Sequence, residues 1–166
     1  MRRLIDANYR FLDRMRHRRA FEAAGRPGTA RDFATFEGAR QCLVVSFRRS
    51  GEPVPTPVNF GLSGGRLYFR SEPRSGKVKR IRRDPHVRVC PCNLRGKPTG
   101  PSVEGTARVL TADEQDRADA ALARNWTGAM KAMERGLDLL PIEMVYVEVA
   151  PGAEAGGRDA TLERTA

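Results

Sequence analysis

The apolar positions along this chain follow two different periods, and the switches between them predict its elements. Gln41 to Phe47 (QCLVVSF) is rich in β-branched and aromatic residues and predicts a strand. Arg49 to Glu52 forms a turn, Pro53 to Leu62 a second strand, Ser63-Gly64-Gly65 a hairpin turn and Arg66 to Ser71 its partner strand. Val87 to Cys92, Ser102 to Leu110 and Glu143 to Val149 read as three further strands. Helical spacing governs the rest. In the first 25 residues Leu4, Asn8, Phe11 and Met15 share one side, with Ile5, Tyr9 and Leu12 beside them. Gly25 to Gly28, with Pro27, ends that helix as a linker. Asp32 to Gly38 predicts a short helix. Ser75 to Arg83 predicts another, with Val78 and Ile81 on one side and a stop at Asp84-Pro85, because a residue before proline avoids the helical region. Thr111 opens a helix with Glu114 completing a capping box, and Ala118, Ala121 and Leu122 follow on it. A further helical piece spans Ala129 to Leu137. The Gly-, Ala- and charge-rich tail after Pro151 predicts disorder.

This order predicts a mainly β protein with helices (α+β), a six-stranded antiparallel split β-barrel. The first three strands follow one another through turns, which argues against a parallel, doubly wound sheet. The expected division is a basic helical arm over 1–31, the barrel over 32–151 and a tail over 152–166.

Composition sharpens this picture. With 166 residues, 40% hydrophobic and 30% charged, the chain is globular and has room for a core. Its net charge of +10 favours an anionic partner, without choosing among nucleic acid, acidic lipid and phosphorylated small molecules. Cys42, Cys90 and Cys92 form neither a disulfide framework nor a zinc pattern; Cys90 and Cys92 point to one face of their strand as small apolar residues. No signal-peptide or membrane-spanning apolar run is present, so the reading is a reducing cytoplasm. His17 and His86 have no metal-ligand companion, and no Ser-His-Asp, Cys-His, Walker or dinucleotide pattern can be assembled.

Two features remain as candidate chemistry. Pro53, Pro55 and Pro57 alternate along one strand, so their missing donors all face the same edge. That edge either guards against aggregation or offers backbone to a ligand, while the amides of Val54, Thr56 and Val58 serve the other side. The second feature is an acid-free run holding Arg74, Lys77, Lys79, Arg80, Arg82 and Arg83. Ser75, Gly76 and Lys77 stand at the start of its helix, where free amides and the positive dipole end suit a phosphate. The alternative is a solvated charged helix.

At these residues the chain resembles the flavin/deazaflavin split-β-barrel oxidoreductases, relatives of pyridoxamine 5′-phosphate oxidase, and is most similar to the actinobacterial PPOX class F420-dependent group. The resemblance covers Phe33 to Pro151 and rests on RRSGEPVPTPVNFGL, GGRLYFRSEPRSGKVKRIRRDPHVRV, GKPTGPSVEGTARVL and EMVYVEVAPG, in that order. It implies a homodimer with the cofactor in a groove between two barrels. It places Pro55, Thr56, Pro57 and Val58 along a tricyclic ring. It places Ser75, Gly76, Lys77 and Lys79 at the phosphate, with Val78 among the cofactor-binding residues, and the loop Pro98, Thr99, Gly100 and Pro101 at the pocket border, from the partner subunit. Asn59 departs from the aromatic that close relatives often carry there, and the arginine-rich arm is outside the family pattern.

The resulting expectation is hydride transfer between coenzyme F420 and an unsaturated small organic substrate, with FMN as the alternative cofactor and no catalytic side chain assigned. The non-enzymatic rivals are a flavin or haem carrier and a basic nucleic-acid module. The latter is disfavoured, since only Tyr68 and Phe69 lie near the basic run to stack on bases.

Overall fold

The structure, a computed structural model, describes residues 18–129, 131–132, 136 and 143–152. Seven strands form one antiparallel sheet: β1 (Gln41–Phe47), β2 (Pro53–Asn59), β3 (Gly61–Ser63), β4 (Arg66–Ser71), β5 (His86–Cys92), β6 (Val103–Val109) and β7 (Val145–Pro151). Their order across the sheet is β2-β1-β5-β6-β7-β4-β3. The outermost strands, β2 and β3, are consecutive in the chain, with only Phe60 between them. The sheet has to curl to bring both edges to that residue, which gives a half-barrel.

The expected count of six strands is therefore corrected to seven. The segment predicted as one strand, Pro53 to Leu62, changes partners midway. Asn59 pairs with Gln41 of β1, whereas Gly61 pairs with Tyr68 of β4. A residue at that corner can join neither ladder, and Phe60 instead turns its ring inward, 1% exposed and edge-on to Phe36 at 5.6 Å. The final strand also starts two residues later than expected, at Val145. Residues 1–17 of the arm, most of the predicted 129–137 helix and the tail from 153 lie outside the described residues.

Alternation along the strands builds two cores. Cys42 and Val44 of β1, Val58 of β2 and Leu67 and Phe69 of β4 point into the barrel. Leu43 and Val45 of β1 point outward with Cys90 and Cys92, where helix α1 (Arg18–Ala24) covers them through Ala20 and Ala24. The described end of the arm thus packs on its own barrel. On the far side, helix α3 (Gln115–Asn125) covers Tyr68 with Ala118 and Ala121. The predicted capping box precedes it: the Glu114 carboxylate accepts from the Thr111 N–H at 3.0 Å and from its hydroxyl at 2.9 Å.

Helix α2 (Gly76–Arg83) closes one end of the barrel. Val78 and Ile81 are 0% and 2% exposed, and burying each side chain stabilises the fold by roughly 1.5–3 kcal/mol. The predicted stop holds. The Asp84 N–H reaches the Arg80 carbonyl at 2.8 Å, and the Asp84 side chain then accepts from the His86 N–H at 3.1 Å.

Candidate functional site

Helix α2 begins at Ser75, whose hydroxyl accepts from the Val78 N–H at 3.4 Å and whose carbonyl accepts from the Lys79 N–H at 3.0 Å. The N–H groups of Gly76 and Lys77 have no carbonyl to reach inside the helix, as at any helix start. They form a donor pair at the positive end of the dipole.

Around this helix start the basic run divides into groups the sequence alone does not separate. Lys77 turns inward, 8% exposed, and donates from Nζ to the Ser71 hydroxyl at 2.8 Å. Ser71 in turn lies 3.0 Å from the Ser75 hydroxyl. Arg80 donates from Nε to Ser46 at 2.9 Å, and Ser46 is fully buried. The same guanidinium bends back over the helix start, so that a Cβ on Gly76 would lie 2.9 Å from its Nη1. Burial first, and then the nearby charges of Arg48 and Arg83, pull the Arg80 guanidinium below its ordinary range. Arg82 donates to the Pro73 carbonyl at 3.3 Å and Arg83 to the Phe47 carbonyl. Arg74 and Lys79 are exposed.

Three of the six cations in the run, Lys77, Arg80 and Arg83, therefore hold the helix onto the barrel end, while Arg82 clasps the turn before it. Val78, predicted among the cofactor contacts, belongs to the core. Ser46 and Ser71 carry no motif, although a signal for them exists. Each continues an inward parity, Cys42-Val44-Ser46 and Leu67-Phe69-Ser71, so each is a polar residue at a core position.

The proline strand sits at a sheet edge, paired only with β1. Pro53, Pro55 and Pro57 stand opposite Phe47, Val45 and Leu43. Proline has no N–H to exchange, so the ladder bonds fall at Val54, Thr56 and Val58, opposite Ser46, Val44 and Cys42. The outer edge is left with the carbonyl side of three prolines and no donor. Pro55 and Val58 are buried, and Thr56 and Pro57 half-buried. The outer face at Pro57 is occupied: a Cβ on Gly96 would meet the Pro57 ring at 3.0 Å and Ala20 at 3.9 Å. Asn59 accepts from the Gln41 amide at 3.1 Å.

The two predicted regions meet at the start of β2. Ser46, which receives Arg80, is the cross-strand neighbour of Val54. The Pro98–Pro101 loop is elsewhere. Pro98 bridges to Cys92, which pairs with Gln41 at the other end of β1. Seven strand residues at about 3.3 Å each put that loop roughly 20 Å from α2 within one chain. Pro98, Gly100 and Pro101 instead border a groove of about 540 Å³ whose other wall is the arm, with Arg19, Glu22 and Arg26. A smaller apolar recess of about 220 Å³ lies between Phe36, Phe60, Leu62 and Ala121, with Arg124 at its rim.

Comparison with known proteins agrees with this architecture. The sequence model for pyridoxamine 5′-phosphate oxidase matches residues 29–149. None of the curated proteins matches the chain. Among solved structures, the conserved hypothetical protein Rv2991 from Mycobacterium tuberculosis aligns with a TM-score of 0.51 at 17% identity, covering 80% of this chain and 99% of that one. The haem storage protein HutZ from Vibrio cholerae aligns with a TM-score of 0.54 at 10% identity, covering 71% and 85% of the two chains. A protein described as a candidate pyridoxamine 5′-phosphate oxidase from Listeria innocua gives 0.51 at 18% identity, covering 73% and 90%. These likenesses concern the fold.

Proposed function

This chain belongs to the pyridoxamine 5′-phosphate oxidase family, and from that premise we propose that it is an oxidoreductase using coenzyme F420 on an unsaturated small organic substrate. The observation that carries the reading is the start of α2, where the Gly76 and Lys77 amides stand at the positive end of the dipole beside the Ser75 hydroxyl, with the Arg80 guanidinium lying next to Gly76. The residues present fit such a cofactor. The helix start suits its phosphate, and the acceptor-only edge of β2 suits the imide N–H of a flavin or deazaflavin ring. When bound, that ring supplies hydride transfer. The chain's own residues bind and orient: the helix start fixes the phosphate, the Pro55–Val58 strand sets the ring edge, and the half-buried wall there limits water.

Exposed Arg74 and Lys79, with Arg48 and Arg49 in the adjoining turn, would meet the carboxylates of an F420 tail. A second reading, FMN, is favoured by the inward engagement of Lys77, Arg80, Arg82 and Arg83, which leaves fewer cations for a polyanionic tail. The separation of the Pro98–Pro101 loop from α2 supports a homodimer in which the loop of one copy borders the helix start of the other. We take the setting to be cytoplasmic; among the described residues no helix is long and apolar enough to cross a membrane.

The test is calorimetric titration of the purified protein with coenzyme F420 and with FMN, alongside its light-scattering mass. Tighter binding of coenzyme F420 supports the main reading, and tighter FMN binding selects the second. Uptake of neither ring compound sinks both.

A further inference from the structure

We propose that residues 153–166 of this chain dock in the groove between the arm and the Pro98–Pro101 loop, with Glu154 meeting Arg26, and so strap the arm to the barrel. The occupant is this chain's own acidic segment, and no bound cofactor is needed for it.

The last hydrogen bond of the sheet points there. β7 runs antiparallel to β6, and its final register pair is Pro151 with Gly105. One residue on, the Gly152 N–H donates to the Glu104 carbonyl at 2.7 Å. Pairing advances one residue on each strand, so the next rung on that edge would set Glu154 opposite Ser102. That position is taken. The Ser102 carbonyl accepts from the Thr29 N–H at 2.8 Å and from the Ala30 N–H at 2.9 Å, and Ala30 bridges to Val103. Carbonyls two apart on a strand face the same edge, so the exit of the arm fills the edge that β7 would otherwise follow. The chain therefore leaves the sheet beside Thr29 and Ser102, and both line the groove.

Charge complements this route. Arg26 lies two residues before Gly28, whose N–H is fixed to the Glu104 carboxylate at 2.6 Å. Glu154 lies two residues after Gly152, which is fixed to the carbonyl of the same Glu104. Two residues span at most about 7 Å, so acid and base hang on short leashes from one anchor. Arg26 is exposed on the groove wall, which also carries Arg19 against a single acid, Glu22. Glu154 is the first charged residue after Gly152; Asp159 and Glu163 follow, interspersed with Arg158 and Arg164. The groove's volume of about 540 Å³ is that of a site for a drug-sized molecule, which suits a short peptide stretch and not a folded partner.

The test is limited trypsin digestion of the full chain. Cleavage after Arg158 is followed by mass spectrometry of the released fragment, and melting curves check the fold. Docking shields that bond. Arg26→Gln and Glu154→Gln are each expected to speed its cleavage about two- to five-fold, the range for loss of one exposed ion pair. The Arg26→Gln/Glu154→Gln double is expected to be no faster than either single, because both remove one contact. Thr29→Glu, which sets an acid in the groove without altering a trypsin site, is expected to speed cleavage, and Thr29→Gln to leave it unchanged. Equal rates in the wild type, Arg26→Gln and Thr29→Glu would overturn the proposal, as would singles whose effects multiply in the double. Protection that rises with protein concentration would place the segment in a second copy's groove and would overturn it as well. Should Arg26→Gln lower the melting temperature, Thr29→Glu against Thr29→Gln decides alone, since Thr29 engages the barrel through its backbone N–H.

Discussion

The backbone N–H of Gly28 donates to the Glu104 carboxylate at 2.6 Å, across 76 positions of sequence. Glu104 is the hub that fastens the arm to β6. It also accepts from Arg88 and lies 2.8 Å from His86 Nε2, while Arg88 donates onward to the Ala24 carbonyl at 2.7 Å, at the end of α1. His86 stacks on Phe47 at 4.9 Å, which holds that end of the network against β1. Partial burial pushes the Glu104 carboxyl upward, but the Gly28 amide, Arg88 and His86 outweigh it and hold it below the ordinary carboxylate range.

A lowered folded pKa fixes the sign of the pH dependence. The stabilisation from Glu104 is fully present above its unfolded value of about 4.3 and is lost as pH falls through the lower folded value. Glu104→Gln is expected to cost about 1.5–3 kcal/mol at neutral pH, the range for hydrogen bonds to a charged group. Melting curves of both proteins should converge on acidification through that window; a constant gap would refute the assignment.

Gly61 marks where α3 rests directly on a strand. A Cβ there would lie 2.2 Å from both the carbonyl carbon and the oxygen of Ala121, backbone atoms that cannot rotate away. Gly61→Ala is expected to destabilise by about 3 kcal/mol, at the upper end for overpacking. Gly65→Ala, where nothing lies within 4 Å but φ is +69°, should cost only about 1 kcal/mol. Denaturant melts of the pair give the comparison, and equal losses would contradict the packing account.

The three thiols should be silent in the folded protein. Burial pushes Cys90 up to about 11 and Cys92 up to about 12, and raises Cys42 as well. A raised pKa keeps each thiol protonated through neutral pH, where the thiolate is the reactive form. Titration with a chromogenic disulfide at about pH 8, near the ordinary thiol pKa, is expected to read almost nothing until denaturant is added. Fast labelling of Cys90 or Cys92 in the native state would show that α1 does not shield it.

The missing donors of β2 also keep that edge from pairing with another chain. The Pro55→Val/Pro57→Val double restores two outward N–H groups beside carbonyls already there. Concentration-dependent association beyond that of the wild type is expected in light scattering. An unchanged mass with intact melting would mean that something other than proline protects the edge.

Much of the architecture was legible because its signals are local. The strand alternation, the Thr111–Glu114 capping box and the Asp84-Pro85 stop each depend on residues a few positions apart. The break at Phe60 was not legible, since nothing in PVNFGL announces that its two halves pair with strands on opposite rims. The helix start at Ser75 was visible, but the fate of its cations was not. Charge in a sequence carries no direction, and only the fold shows that Lys77 and Arg80 turn toward Ser71 and Ser46. The Pro98–Pro101 loop was likewise visible as a loop and not as a neighbour of the arm, because its position follows from the β5–β1 register.

The corner at Phe60 joins the two rims of the sheet at one end. At the other end, about 23 Å along the seven residues of β2, α2 straps them together, through Lys77 to Ser71 of β4 and through Arg80 to Ser46 of β1. Two clasps, one aromatic and one hydrogen-bonded, thus set the separation of the rims along the whole of β2.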